Sequence, residues 1–331
     1  MAARLDTPVL GVQNNYTGPD RWLVSFGWRY QHSFRHFVGT EEQENRAEDG
    51  SQVINHIHQA ELGIRYNYND VWSVAVGIPY LMAQRSSPIR DASRTVVDRY
   101  TTHGTGVGDI TAILHRLLWH PRDSPNGNIS LGLGIKLPTG QYNETDTVTR
   151  IVNGVRVNSI ETIDQSIQPG DGGFGAIVDL DGFHLLGRSG FAVYGTGTYL
   201  LNPSNTNGVR TYRTAVGEEV MSVADQYLVR AGFTYSNASL KGFSLSLGGR
   251  MEAVPVEDLI GGSEGFRRPG YAISLEPTVT WSQGPHIVSL AVPYAIERNR
   301  QRSVPDQMVP GRHGDAAFAD YVILFYYGRR F

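Results

Sequence analysis

The run Gly104-Thr105-Gly106-Val107-Gly108 has residue types and a spacing that could do chemistry. Glycines placed this way let backbone N–H groups cradle a phosphate, but a dinucleotide site needs a strand before them and a helix after. The following residues, Asp109-Ile110-Thr111-Ala112-Ile113-Leu114, continue as strand, so the run reads as a glycine-rich loop entering a strand. Asn55-His56-Ile57-His58 sets two imidazoles on one strand face, a spacing that could chelate a metal. No third ligand stands nearby in the sequence, and no metal site is assigned. His115 is the strand-interior candidate for general-base chemistry. A hydroxyl nucleophile needs such a base within hydrogen-bond reach, and no serine-centred motif accompanies it. Cysteine is absent, which removes thiol catalysis and iron–sulfur chemistry. The expectation is a protein with no catalytic residues, no cofactor and no enzymatic activity.

The elements that position these residues are strands. Trp22, Val24, Phe26, Trp28 and Tyr30 alternate with Leu23, Ser25, Gly27, Arg29 and Gln31, and only an extended strand puts such a set on one face. The same period of two recurs near 59–66, 72–80, 106–119, 128–141, 173–182, 190–201, 222–236, 242–254, 270–282, 286–297 and 317–331. The strands at 173–182 and 190–201 are rich in glycine and ambiguous in face. Long polar connections near 32–52, 84–105, 142–172, 202–221, 255–269 and 298–316 alternate with short ones near 67–70, 120–127, 183–189, 237–241 and 283–285. Most runs reach the roughly 9–11 residues that a tilted strand needs to cross a bilayer. No stretch approaches the roughly 20 apolar residues of a spanning helix. This pattern predicts an all-β, transmembrane, antiparallel up-and-down β-barrel of twelve strands, with long loops outside and short turns on the periplasmic side. A soluble sandwich has shorter strands, and its connections do not sort by length.

The barrel is expected over residues 21–331, with 1–20 as a periplasmic extension or plug. The start Met1-Ala2-Ala3-Arg4 lacks the apolar region of a secretory signal, so either a leader has been removed or Met1 is an added start. Charged residues make up 18% of the chain, below the roughly 25% of soluble domains. A net charge of −3 and the lack of a basic stripe argue against a nucleic-acid partner. The acidic stretch Glu41 to Asp49 falls in the first long loop. It reads as a solvated loop, or as a site for divalent ions bridging lipopolysaccharide.

At the C-terminus, Phe331, Tyr327, Phe325, Ile323 and Tyr321 share one parity. This is similar to the terminal-strand signal by which the bacterial assembly machinery recognises outer-membrane barrels. Arg329 departs from it, at a rim position where its stem can snorkel. Pro79, Pro138, Pro203, Pro255 and Pro293 close upward strands, and since proline cannot donate to a ladder they mark ends or bulges of pairing. Tyr80 and Tyr294 then belong to an upper aromatic girdle.

Gly104 to Asp109, Leu137-Pro138-Thr139-Gly140, Gln168-Pro169-Gly170-Asp171-Gly172-Gly173 and the Pro79-Tyr80 and Pro293-Tyr294 pairs resemble those of a known family. It is the group of outer-membrane transporters called the "MetA-pathway of phenol degradation" family, and the resemblance spans roughly 60–331. It implies a barrel of the bacterial outer membrane that passes small, often aromatic, molecules. It brings no catalytic residues.

The polar parity carries Arg29, Glu61, Arg65, Asp109, Lys136, Asp179, Arg230, Arg250, Glu252 and Glu276. In strand 242–254, turning Arg250 and Glu252 outward would put charge in lipid, at roughly 2–4 kcal/mol for a midplane arginine. These residues are therefore expected to line a narrow, mixed-charge lumen, closed further by the first 20 residues or by an inward-folded loop such as 142–172. Two functions stay open. One is passive passage of small solutes; the other is a structural barrel with a sealed lumen whose outer loops bind a partner.

Overall fold

The structure, a computed structural model, describes residues 20–331. The segment 1–20, expected as a plug, therefore lies almost wholly outside the described residues. The rest is built from twelve long strands: β1 (Trp22–Val38), β2 (Ile54–Asn67), β3 (Trp72–Arg90), β4 (Val96–Val107 and Thr111–Leu117), β5 (Gly127–Lys136) and β6 (Gly175–Leu185), followed by β7 (Phe191–Leu201), β8 (Gln226–Ser236), β9 (Phe243–Val254), β10 (Gly270–Gln283), β11 (His286–Ala291 and Tyr294–Arg300) and β12 (Ala316–Arg330). Each pairs antiparallel with its neighbours in sequence, and β12 pairs back onto β1. The ring is sealed at its lower edge by Trp22 and Phe331, each of which donates its backbone N–H to the other's carbonyl. Closure leaves no barrel strand with an unpaired edge, the condition for a sheet to stand in hydrocarbon.

The alternation sorts as its chemistry requires. Trp22, Val24 and Phe26 are exposed on the outer wall, while Arg29, Gln31 and Ser33 are buried inside. Leu133, Phe233 and Leu247 form part of the same outer apolar surface, at 52–60% exposure. Aromatic rings gather at both rims. Below, Trp22 packs on Tyr66 at 4.6 Å and Phe191 on Tyr235 at 4.7 Å between ring centres. Above, Tyr199 stacks on Tyr227, and Tyr80 and Tyr294 face outward. A wet-tipped, apolar-bodied ring suits the headgroup level at each end of a bilayer span.

Several strands run farther than their sequence pattern suggests. The stretch 84–105, expected as a loop, is a hairpin in which β3 and β4 continue to pair as far as Arg90 and Val96. Arg99 holds it by donating to the Gly50 and Gln52 carbonyls of the first loop. β1 likewise runs on to Val38, with bulges between Gln31 and Arg35 that change which parity points inward. β5 stops earlier than expected, at Lys136, two residues before Pro138. The proline expectation holds in detail at Pro79, which lies opposite the break Gly108-Asp109-Ile110 in β4, and at Pro293, which interrupts β11. The third outer loop carries its own hairpin, Thr145–Val152 with Val155–Thr162, turned by Asn153-Gly154, both at positive φ.

Because the outer wall faces lipid, Leu133→Arg on β5 is expected to cost about 2–4 kcal/mol of stability in a bilayer, read by chemical unfolding of the refolded barrel. Leu259→Arg, in an outer loop, should change it by no more than about 0.5 kcal/mol.

Candidate functional site

The upper half of the lumen holds a cavity of about 370 Å³, within the range of small-molecule sites. Inward residues of the strands form its wall, among them Gln59, Glu61, Leu81, Thr111, Ile177 and Leu200. Tyr100, Arg85, Arg213, Arg268 and Tyr212 line it toward the outer mouth. Charges of both signs therefore face the same space, with apolar side chains between them.

One side of the cavity is made by the third loop, whose segment 163–171 folds into the barrel. Ile163 and Ile167 are buried against Ile57, Leu81 and Ala83, which point inward from β2 and β3. That fold-in needs backbones closer than any side chain permits. A Cβ on Gly104 would sit 1.9 Å from the Ile167 carbonyl oxygen, and one on Gly170 only 2.5 Å from that of Gly140. A Cβ on Gly140 would in turn be 2.9 Å from Gly108. The three glycine motifs, far apart in the chain, are thus one seat for the loop. Asp109 fastens it: its Oδ1 accepts from Gly140 N–H at 2.9 Å and its Oδ2 from Asp171 N–H at 3.0 Å. Lys136 pairs with Asp171 and lies 3.8 Å from Asp109. Asp109 is therefore a staple in the break of β4, and not the regular strand position expected of it.

At the inner end of the loop, Asp164 is buried where three elements meet. Arg268 grips it with both guanidinium arms at 2.7 and 2.8 Å, Tyr212 donates at 2.9 Å, and Arg85 lies at 3.4 Å. Its Oδ1 also caps the short helix Gln165–Ile167 by accepting from Ser166 N–H. Burial alone would raise the Asp164 carboxyl, but the guanidiniums of Arg268 and Arg85 outweigh it and hold it well below the usual carboxylate range. Sequence reading passed over Asp164, Arg85 and Arg268, because nothing in their spacing shows that three separated segments converge.

Below the cavity the lumen is filled by charge. Arg29 on β1 reaches Glu252 on β9 with two hydrogen bonds of 3.0 and 3.2 Å, crossing the lumen because three strands separate them around the ring. Arg250 donates to Glu252 at 2.6 Å and to Glu276 at 3.3 Å, and Arg230 donates to Glu276 at 2.9 Å. On the opposite wall His115 contacts Asp179 at 3.1 Å, with Arg65 and Asp181 close by. Of the ten residues expected in the lumen, Glu61, Asp109 and Lys136 border the cavity and the other seven form this lower layer. His56 and His58 lie on the outer wall with His32, stacked among Trp28 and Tyr30, away from the lumen.

The pH behaviour of Asp164 follows from its lowered folded-state value. The stabilisation it gives is complete above the unfolded carboxyl pKa of about 3.9 and is lost only as pH falls through the lower folded value. Hydrogen-exchange protection of 163–171 should therefore be unchanged from pH 8 to 5. Asp164→Asn, which leaves the arginines uncompensated, should cost about 3–5 kcal/mol locally and remove that protection at every pH.

No protein-family model and no curated protein matches the sequence. Among solved structures, the crystal structure of an outer-membrane channel from Pseudomonas putida F1 superposes with a TM-score of 0.59 at 14% identity, covering 96% of this chain and 98% of that one. The translocator domain of the autotransporter NalP from Neisseria meningitidis superposes with a TM-score of 0.50 at 9% identity, covering 97% and 92%. At such identities the likeness is one of architecture, and the chain has the closed twelve-stranded fold of outer-membrane barrels.

Proposed function

We propose that this protein is a channel of the bacterial outer membrane, admitting small solutes to the lumen by passive diffusion. The observation that carries the reading is the cavity itself, enclosed by a membrane barrel and lined by both charged and apolar groups. Tyr100 and Tyr212, beside the ion-paired Arg85, Arg213 and Arg268, would favour a solute with a polar end and a flat apolar body. The motif resemblance to transporters of small aromatic molecules, and the fold shared with an outer-membrane channel, point the same way.

Passage in this reading needs two rearrangements. The third loop must lift from its seat, and the ion pairs below the cavity must exchange partners with the solute or with water. The ten sequence-expected lumen residues then act as the lining of the path. Phe331, Tyr327 and Phe325 would serve as the assembly signal, with the bilayer, lipopolysaccharide and the assembly machinery as partners.

A second reading, a sealed structural barrel whose loops bind a partner, draws on one observation. Arg29, Arg250 and Glu276, at the centre of the lower layer, are each under 5% exposed.

Single-channel conductance of the refolded protein in a planar bilayer separates the two. The channel reading expects discrete steps, more frequent or larger in Asp164→Asn, with ion preference altered by Arg230→Ala and Arg250→Ala. A folded protein that stays silent at every voltage, with those arginine variants changing only stability, would overturn it in favour of the sealed barrel.

A further inference from the structure

We propose that His115, Asp179 and Asp181 form a binding site for one divalent first-row transition-metal ion in the inner wall of the barrel. One donor atom from each residue lies within 4.8 Å of the other two, and all three residues are at least 96% buried. The site stands below the cavity and does not depend on the transport reading.

The local architecture is specific to these side chains. His115 on β4, Gly132 on β5 and Asp179 on β6 are register partners in one row across the sheet. A Cβ at position 132 would stand 2.8 Å from His115 Cδ2 and 2.9 Å from Asp179 Cβ. Only glycine lets the imidazole lie over the intervening strand and bring its Nε2 to 3.1 Å from Asp179 Oδ2. Asp181 follows two residues later on the same inward face. Thr198 on β7 donates to the other Asp179 oxygen at 2.5 Å, orienting the carboxylate from behind, as an outer-shell partner does at a metal centre.

The donor chemistry points to a cation. Two carboxylates share a buried site in which Arg65 supplies one positive charge, while Arg230 is engaged by Glu276. His115 Nδ1 is buried without a hydrogen-bond partner among the described residues, and Nε2, the nitrogen that faces Asp179, is the one placed to bind an ion. One imidazole nitrogen with two carboxylate oxygens is a donor set for zinc, cobalt, manganese or iron(II). Bond lengths of about 2.0–2.2 Å require the three donors to close in by an ångström or two. Three protein ligands leave at least one coordination position open toward the lumen.

The test is cobalt(II) titration of the metal-stripped, refolded barrel, followed by visible d–d absorption and displaced by zinc. Saturation at one ion per chain is expected, with affinity reduced at least about tenfold in His115→Gln and in Asp181→Asn. The same affinity is expected when His32, His56 and His58 on the outer wall are all replaced by alanine. Absence of saturable binding, binding unchanged in His115→Gln, or binding lost with the three outer histidines would each overturn the site. X-ray absorption of the zinc-loaded wild-type chain gives a check that no variant has to survive folding. One imidazole with oxygen ligands supports the site, and two or more imidazoles refute it.

Discussion

Lipid offers no hydrogen bonds to a backbone, and every other feature of this molecule follows from that constraint. A sheet can stand in hydrocarbon only if its first and last strands meet, so the pairing of β1 with β12 is the interaction on which the rest depends. Once the ring is closed, the twofold alternation of side chains divides the chain between two solvents. The even residues of lower β1 take lipid, and the odd ones, led by Arg29, take the lumen. A single residue of slip would exchange them, which is why the lower strands keep strict register while the bulges of β1 and the break in β4 lie in their upper parts.

Turning charge away from lipid moves the electrostatic problem inward. A lumen too narrow to hydrate Arg29, Arg230 and Arg250 separately must neutralise them against one another's partners, and the chain Arg29–Glu252–Arg250–Glu276–Arg230 does so with two carboxylates for three guanidiniums. The opposite wall sets Asp179 and Asp181 beside Arg65. The two clusters lie close enough for Arg230 to act on Asp181, so each biases the other through a medium of low dielectric.

Above that level the constraint is steric. The third loop can enter the barrel only where backbones may touch, and Gly104, Gly108, Gly140 and Gly170 provide those places. Asp164 then converts a packed loop into a fastened one, because its buried charge is matched by arginines from β3 and from the fifth loop. A cavity bounded by such a segment can change size through one local rearrangement, without disturbing the hydrogen-bonded wall.

Much of this was legible from residue order. Alternation at Trp22 to Tyr30 and at Phe243 to Met251 determined strands, faces and the inward direction of Arg250 and Glu252, because period and polarity are local properties and lipid penalises the opposite choice. Loop lengths gave the count of twelve, and Pro79 and Pro293 located their breaks. The 84–105 hairpin was misread because polar side chains on a strand beyond the bilayer look like loop. What order could not supply was register between distant strands and the path of the long loops. Sequence marked Asp179 as inward and His115 as a strand-interior base candidate, but only pairing through Gly132 places them in contact. Asp164 carried no motif at all, since its partners Arg85 and Arg268 come from segments joined solely by closure of the ring. Faces are set residue by residue, whereas contacts across a lumen exist only after the last strand has found the first.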